Sequence, residues 1–234
     1  MRQKRTRYRY SRMTRKRRRA QVRRRILGTA GVVTLCVLGL VLGIRKLSGS
    51  GPSGPVDIQT DTTSVQWEGA PPIQVELLTP NEWSRPQIAL EQIRGIVIHY
   101  TANPGSTAQQ NRDYFEGLKN AQSTKASSHF IIGLDGEVVQ CIPSSEWAYA
   151  SNDRNSDTLS IECCHPDESG QFNDATYQSM VQLTGWLCHR FGLSSEDVIR
   201  HYDVTGKDCP KYFVEHEDAW VQFRKDVQAY ADSL

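Results

Sequence analysis

Three side chains in this 234-residue chain could together bind a metal ion. His99 ends an apolar run, and His201 and Cys209 stand at the two ends of the segment His-Tyr-Asp-Val-Thr-Gly-Lys-Asp-Cys. Imidazole and thiolate together suit Zn²⁺, and catalytic zinc uses three protein ligands and leaves the fourth position to water, whose pKa falls to about 7. The segment contains Gly206 and is followed by Pro210, so we expect a loop that turns both side chains toward one point.

The residue types alone do not establish this zinc site. A lone histidine at a strand end is usually a hydrogen-bonded structural residue, and a lone cysteine is usually a small core side chain. The sequence contains neither a C-x-x-C nor an H-E-x-x-H pattern, which would have made the assignment specific. Spacing therefore suggests a metal centre without establishing it.

The elements that must position these residues begin with a set of short strands. Residues 95–100, Gly-Ile-Val-Ile-His-Tyr, form a nearly continuous β-branched run, typical of a strand buried on both faces. Asp135-Gly136 separates two apolar runs and predicts a hairpin. Further strands are expected at 158–164 and 198–201.

Helices are predicted between and after these strands. Residues 107–119 resemble a capped helix, and apolar residues at spacings of three and four predict an amphipathic helix over 174–190, with Gly192 at its C-cap. A closing helix is expected around residues 220–230. Strands interleaved with helices predict a three-layer α/β domain, which we expect to begin near Trp83.

Several segments resemble those of the zinc-dependent N-acetylmuramoyl-L-alanine amidases, in the same order along the chain. This family includes the amidase-type phage lysozymes and the peptidoglycan recognition proteins. The likeness covers residues 83–215, and residues 201–210 are its most specific part. The matching segments are Gly-Ile-Val-Ile-His-Tyr-Thr (95–101), Ser-His-Phe-Ile-Ile (128–132) with Asp135-Gly136, Ser-Ile-Glu (160–162) and His201 to Pro210.

The resemblance implies a fold, a cofactor and a reaction. The fold would be a mixed central sheet flanked by helices, and His99, His201 and Cys209 would bind zinc. The reaction would be hydrolysis of the amide between N-acetylmuramic acid and L-alanine in peptidoglycan. Glu162 would accept a proton from water and pass it to the leaving amine, and Lys207 would stabilise the oxyanion.

Both catalytic assignments have structural alternatives. Glu162 could pair with a neighbour such as Arg200, and Lys207 could be a solvated loop residue. An ionised carboxylate inside the apolar strand is costly unless it is paired or functional, so the resemblance favours catalytic roles. His129 either contacts the metal ligands or the substrate, or is a structural residue.

The sequence departs from the family pattern at two places near the site. The glycine that many members place between the Ile and the Ser of the Glu-bearing strand is absent, and Tyr149 stands where a histidine is common. These departures affect the expected contacts with substrate rather than the metal.

Charge is divided unevenly along the chain. Residues 1–46 hold 16 of the 28 Lys and Arg and none of the 26 Asp and Glu, which leaves the remainder with 12 basic and 26 acidic residues. Residues 26–44 carry no charge and would span about 28 Å as a helix, close to the thickness of a bilayer. The positive-inside rule places the basic N-terminus in the cytoplasm and everything after residue 46 outside.

These features predict four regions. They are a basic cytoplasmic tail (1–25), a transmembrane signal-anchor helix (26–44), a Gly/Ser/Pro linker with a loosely ordered lead-in (45–82), and the zinc amidase domain (83–234). A cleaved signal peptide is less favoured because the apolar run is long and Arg-Lys-Leu follows it without a small-residue cleavage site. A nucleic-acid-binding role for the basic run is also less favoured, because topology and anionic lipid explain it.

The remaining cysteines leave the disulfide pattern open. Cys141, Cys163, Cys164 and Cys188 all fall on predicted core elements, and sequence cannot assign pairs among them. Cys163 and Cys164 adjoin on a strand and should point to opposite faces.

The sequence is compatible with three functions. The zinc amidase accounts for the complete ligand set together with Glu162 and Lys207. A non-catalytic peptidoglycan-binding module is the first alternative, because a fold can lose its metal and keep its groove. A cysteine hydrolase using Cys209 and His201 is weaker, since Cys209 lies on a loop before Pro210 rather than at a helix N-terminus. The expected partners are peptidoglycan and the membrane, and no feature indicates an oligomeric state.

Overall fold

The computed structural model describes residues 64–234. Its strands are β1 (Ser64–Val65), β2 (Ile73–Val75), β3 (Gly95–Tyr100), β4 (Phe130–Ile132), β5 (Val138–Gln140), β6 (Thr158–Cys163) and β7 (Val198–Arg200). Its α-helices are α1 (Ala108–Ala121), α2 (Asp174–Phe191), α3 (His201–Thr205), α4 (Lys211–Glu215) and α5 (Glu217–Ala231). Short 3-10 helices cover Asn152–Ser156 and Ser195–Asp197.

The strands of this region form one mixed sheet, in the order β1-β2-β5-β4-β6-β3-β7. Strand β3 lies between β6 and β7 and runs parallel to both, and β4 is parallel to β6. Strand β5 is antiparallel to β4, as the Asp135-Gly136 pair predicts, and Gly136 has the positive φ of +80° that such a turn requires. The carboxyl ends of β3, β6 and β7 therefore meet at one edge of the sheet.

Helices cover both faces of the sheet, which confirms the three-layer prediction. On one face, Ile96, Ile98 and Ile161 pack against α2 and α5. On the other, Ile131 and Val139 pack against α1. Because successive strand residues alternate between faces, His99 and Glu162 point toward the α1 side of the sheet.

The predicted helices begin and end close to the expected residues. Thr107 caps α1 through a reciprocal pair of hydrogen bonds with Gln110. Helix α2 ends at Gly192, which adopts the left-handed conformation with φ of +66°. Local capping signals thus fixed these boundaries.

The ordered domain begins earlier than the sequence predicts, so the lead-in predicted over 45–82 is wrong for the part from residue 64 onward. Strand β2 pairs in parallel with β5, Ile73 is fully buried, and the Trp67 ring stacks on Trp186 at 5.6 Å. Strands of two and three residues are too short to show a period, which is why sequence patterning missed them.

The predicted cytoplasmic tail and anchor lie outside the described residues. Within residues 64–234, no helix is both long enough and apolar enough to cross a membrane. The anchor at 26–44 stays a prediction.

The cysteines of this region are all buried free thiols, namely Cys141, Cys163, Cys164, Cys188 and Cys209. Cys163 belongs to the core on the α2 side and Cys164 to the core on the α1 side, as predicted for adjoining strand residues.

Candidate metal centre

Strands β3 and β6 bring His99 and Glu162 together. The two residues are register partners, so their Cα atoms lie about 5 Å apart and their side chains share a face of the sheet. His99 is almost fully buried, with 2% of its surface exposed. The parallel pairing of two buried strands therefore sets a carboxyl group beside an imidazole.

His201 joins them from the neighbouring strand. Strand β7 pairs with β3 up to Ile98 and Arg200, and His201 is the next residue, at the start of α3. Its ring centroid lies 4.7 Å from that of His99. The segment after His201 is a short helix rather than the loop that the sequence predicts, because Gly206, with φ of +77°, ends a complete helical turn.

Cys209 returns to the same point after this turn. The Tyr202 N–H donates to the Cys209 carbonyl oxygen at 2.9 Å, which closes the segment. The Cys209 sulfur lies 3.8 Å from His99 Nδ1. One ligand atom each from His99, His201 and Cys209 lies within 4.8 Å of the others, so the three predicted ligands converge.

The Nε2 atom of each imidazole lies beside a side chain that no sequence pattern identified. Ser151 Oγ lies 3.1 Å from His99 Nε2, and Asn152 Oδ1 lies 3.0 Å from His201 Nε2. His201 Nδ1 is buried and has no hydrogen-bond partner among residues 64–234. A buried ring nitrogen that lacks a partner beside a thiol and a second imidazole fits the donor set that Zn²⁺ prefers. Ser151 and Asn152 lie in irregular backbone, where the sequence shows no hydrophobic periodicity, so no sequence pattern identified them.

Burial keeps the three convergent side chains neutral. Desolvation, then the charges of His201 and Lys207, holds the pKa of His99 well below its usual value, and desolvation with Lys207 lowers the pKa of His201. Desolvation raises the pKa of the Cys209 thiol to about 12, with the Glu162 charge adding to the rise, and a hydrogen bond from the Tyr100 backbone opposes it. Neutral imidazoles are ready to bind a metal, whereas the thiol must first lose its proton.

This difference predicts that zinc binding at pH 7.5 releases protons. We expect about one proton per zinc from Cys209 and none from the two imidazoles. Titration calorimetry in buffers with different ionisation enthalpies measures this number, and Glu162→Gln removes any contribution from that carboxyl. Zinc uptake by the variant without proton release would contradict Cys209 as a ligand.

The carboxyl group of Glu162 is desolvated and lacks an ion-pair partner among residues 64–234. Its side chain is partly exposed, but Oε2 is buried and has no hydrogen-bond partner in the described chain. Desolvation raises its pKa to about 8, although the charge of Lys207 acts in the opposite direction. The alternative pairing with Arg200 does not occur, because Arg200 bonds Asp203 at 2.9 Å and Glu217 at 2.6 Å.

Lys207 supplies the positive charge at this site. The residue is exposed, and within residues 64–234 it forms no ion pair. Its ammonium charge lowers the pKa of Glu162 and of the three convergent residues alike. A cation without an ion-pair partner can stabilise negative charge that develops on a substrate.

His129 is a structural residue. The Ser160 backbone N–H donates to its Nδ1 at 3.0 Å, and its Nε2 lies 2.8 Å from the Glu146 carbonyl oxygen, to which it donates. The ring thus ties the start of β4 to β6 and to the segment before Ser151. Burial lowers its pKa to about 4, against smaller raising effects of Glu146.

A depressed histidine pKa predicts acid sensitivity. Between pH 6.5 and 4 the unfolded chain binds a proton at His129 that the folded chain does not, so stability present above pH 6.5 is lost as pH falls toward 4. The shift corresponds to about 3 kcal/mol. The free-energy difference between the native protein and His129→Gln, from urea unfolding without metal, should therefore shrink by about 3 kcal/mol from pH 7 to pH 4. A difference that stays constant with pH would refute this.

The sequence matches a family model described as N-acetylmuramoyl-L-alanine amidase over residues 89–212, slightly more than half of the chain. The N-acetylmuramoyl-L-alanine amidase CwlL of Bacillus licheniformis is 37% identical over 162 residues, which cover 64% of this chain and 44% of the relative. The amidase BlyA of Bacillus subtilis (strain 168) is 34% identical over 170 residues, 64% of this chain and 45% of the relative. The chain thus spans less than half the length of these relatives.

Solved structures show the same fold. The catalytic domain of XlyA is 25% identical with a TM-score of 0.54, over 65% of this chain and 98% of that domain. The structure of PlyL is 23% identical with a TM-score of 0.58, over 67% of this chain and 96% of that one. These likenesses confirm the mixed sheet flanked by helices.

Proposed function

Because the chain belongs to the N-acetylmuramoyl-L-alanine amidase family, we propose that it hydrolyses the amide bond between N-acetylmuramic acid and L-alanine in peptidoglycan. The observation that carries the proposal is the convergence of His99, His201 and Cys209 within 4.8 Å, beside a buried carboxyl oxygen that lacks a partner in residues 64–234. The family relatives with this activity in their names support the substrate.

We propose that these three residues bind Zn²⁺. When bound, zinc would supply a Lewis acid that polarises the scissile carbonyl and acidifies water. The protein's own part is to present two neutral imidazoles and one thiol from three different elements, β3, α3 and the segment after it. Their burial excludes competing water from the ligand atoms.

Glu162 is proposed as the group that moves the proton. Its carboxylate accepts a proton from the attacking water and delivers it to the nitrogen of the leaving L-alanine. Burial raises the pKa of this carboxyl to about 8 in the metal-free protein, and the charge of a bound zinc would lower it toward neutral pH, where a carboxyl can both accept and deliver a proton. One residue can therefore serve both halves of the reaction.

Lys207 is proposed to stabilise the oxyanion. As the carbonyl carbon becomes tetrahedral, negative charge develops on its oxygen, and the ammonium group of Lys207 is free to approach it. Lys207 is exposed, so a substrate can approach its ammonium group from solvent.

The amide specificity is tested with purified peptidoglycan. Incubation with the protein and zinc should release stem peptides with a free N-terminal L-alanine, identified by mass spectrometry, while N-acetylmuramic acid stays in the glycan. Products that retain the muramyl–alanine bond would overturn the proposal. Sedimentation of the protein with peptidoglycan without any soluble product would favour a non-catalytic binding module instead.

We also propose that residues 26–44 anchor the chain in the membrane with the domain outside the cell. The basic residues before this segment and its uncharged length support that topology. The full chain should stay with membranes after alkaline extraction, and protease added to cells with the wall removed should digest the domain. Release of the intact chain by alkali, or protection from external protease, would overturn this topology.

A further inference from the structure

We infer that residues 151–155 act as one positioning segment, which orients both imidazoles at the candidate metal centre and fixes the tautomer of His201. The inference rests on the proposed metal centre. It assigns a role to Ser151 and Asn152, which act through the imidazole rings they contact rather than on the substrate. The two imidazoles come from strand β3 and from the start of helix α3, yet the Nε2 atoms of both rings lie beside consecutive residues of this single segment.

The contacts determine which ring nitrogen is free for a metal. The Asn152 side-chain oxygen can only accept a hydrogen bond, so the proton of His201 lies on Nε2 and the lone pair lies on Nδ1. That Nδ1 is the buried atom without a partner in the described residues. The Ser151 hydroxyl, which is 1% exposed, lies beside His99 Nε2, and His99 Nδ1 faces the Cys209 sulfur. A hydroxyl can donate or accept, so this contact orients the His99 ring without by itself fixing its tautomer.

The segment is itself held rigidly. Asn155 Oδ1 accepts the backbone N–H groups of Ala150 and Ser151, at 3.1 and 2.6 Å. The backbone N–H of Arg154 donates to the Ser151 carbonyl oxygen at 3.0 Å. Asn152 adopts a left-handed conformation with φ of +52°, which asparagine tolerates better than most residues with a side chain.

This conformation explains why both rings can be reached at once. An extended residue at 152 would send the side chains of 151 and 152 to opposite sides, because successive side chains alternate in extended chain. The left-handed turn at Asn152 instead lets the two side chains hold two neighbouring rings. Outer-shell hydrogen bonds of this kind usually change metal affinity by about 10- to 100-fold when they are removed.

The decisive variant is Asn152→Gly in the full chain. Glycine keeps the left-handed backbone without strain and removes only the side-chain acceptor. Asn152→Asp retains an acceptor at the same place, and Gln122→Gly is the matched control, because Gln122 is exposed and has a similar φ of +51° at the end of α1. Zinc affinity is measured by competition with a chromophoric chelator, and the stability of the metal-free protein by urea unfolding.

Asn152→Gly should bind zinc about 10- to 100-fold more weakly than the native protein, with little change in metal-free stability. Asn152→Asp should recover most of the affinity, and Gln122→Gly should match the native value. Ser151→Ala should weaken zinc binding through His99 in the same range. Native affinity in both Asn152→Gly and Ser151→Ala would overturn the inference.

A second readout does not need the metal. Nitrogen-15 spectra of the metal-free native protein at pH 7.5 should show the His201 ring protonated on Nε2, and Asn152→Gly should shift His201 alone toward a tautomer mixture. An unchanged His201 signal in that variant would contradict the positioning role. If the native protein fails to bind zinc while the tautomers respond as expected, the proposed metal centre fails and the positioning contacts stand.

Discussion

Replacing Cys209 with alanine is expected to abolish stoichiometric zinc binding and, with it, the hydrolysis of peptidoglycan. The sulfur lies 3.8 Å from His99 Nδ1, and removing it leaves two imidazoles, which is one ligand fewer than catalytic zinc sites use. Because the loss of even an outer-shell contact weakens metal binding by about 10- to 100-fold, losing a ligand should weaken it by more than about 100-fold. Metal content after gel filtration and peptide release from purified walls measure the two effects.

Cys188→Ala is the matched control for this substitution. Cys188 is a buried free thiol on α2, on the other face of the sheet, so its removal creates a similar small cavity away from the cluster. The control should keep its zinc and its activity. Undiminished activity of Cys209→Ala, or of the native protein after exhaustive chelation, would contradict the zinc mechanism.

Glu162→Gln should lower kcat/KM by about 10²- to 10⁴-fold, the range in which general acid–base groups contribute. Glutamine has almost the same shape but neither accepts nor delivers a proton at neutral pH. Zinc content should be unchanged, because Glu162 is not among the three convergent residues. Loss of zinc along with activity would instead make Glu162 part of the metal site.

The same substitution should stabilise the metal-free fold. A carboxyl whose pKa is raised from 4.5 to about 8 keeps its proton in the folded state at pH values where the unfolded chain has lost it, so it weakens the fold as pH rises through this range. At pH 7.5, Glu162→Gln should raise the free energy of unfolding by about 3 kcal/mol, after allowance for partial exposure, and near pH 4.5 the gain should vanish. A gain that does not depend on pH would point to packing instead.

Much of this site could be predicted from residue types because its main parts lie on buried strands. His99 and Glu162 interrupt apolar runs, and a polar side chain within such a run indicates a candidate functional residue from the sequence alone. That they face each other depends on the pairing of β3 with β6, which local pattern does not encode. The convergence of Cys209 with the two histidines became specific only through resemblance to a family.

Other parts could not be predicted, for physical reasons. Ser151 and Asn152 act through single hydrogen bonds from irregular backbone, and such contacts leave no period in the sequence. Strands β1 and β2 are so short that their place in the sheet depends on long-range pairing with β5. The short helix after His201 ends at Gly206, and a glycine at this place is equally compatible with the loop that the sequence predicts.

X-ray absorption at the zinc edge of the purified full chain tests the central claim most directly. Two nitrogen ligands at about 2.0–2.1 Å and one sulfur at about 2.3 Å, with a light atom completing the set, are the expected result. The sulfur contribution should be absent from any zinc that remains on Cys209→Ala. A native spectrum without sulfur, with several sulfur ligands, or with no bound zinc at all would contradict the site formed by His99, His201 and Cys209.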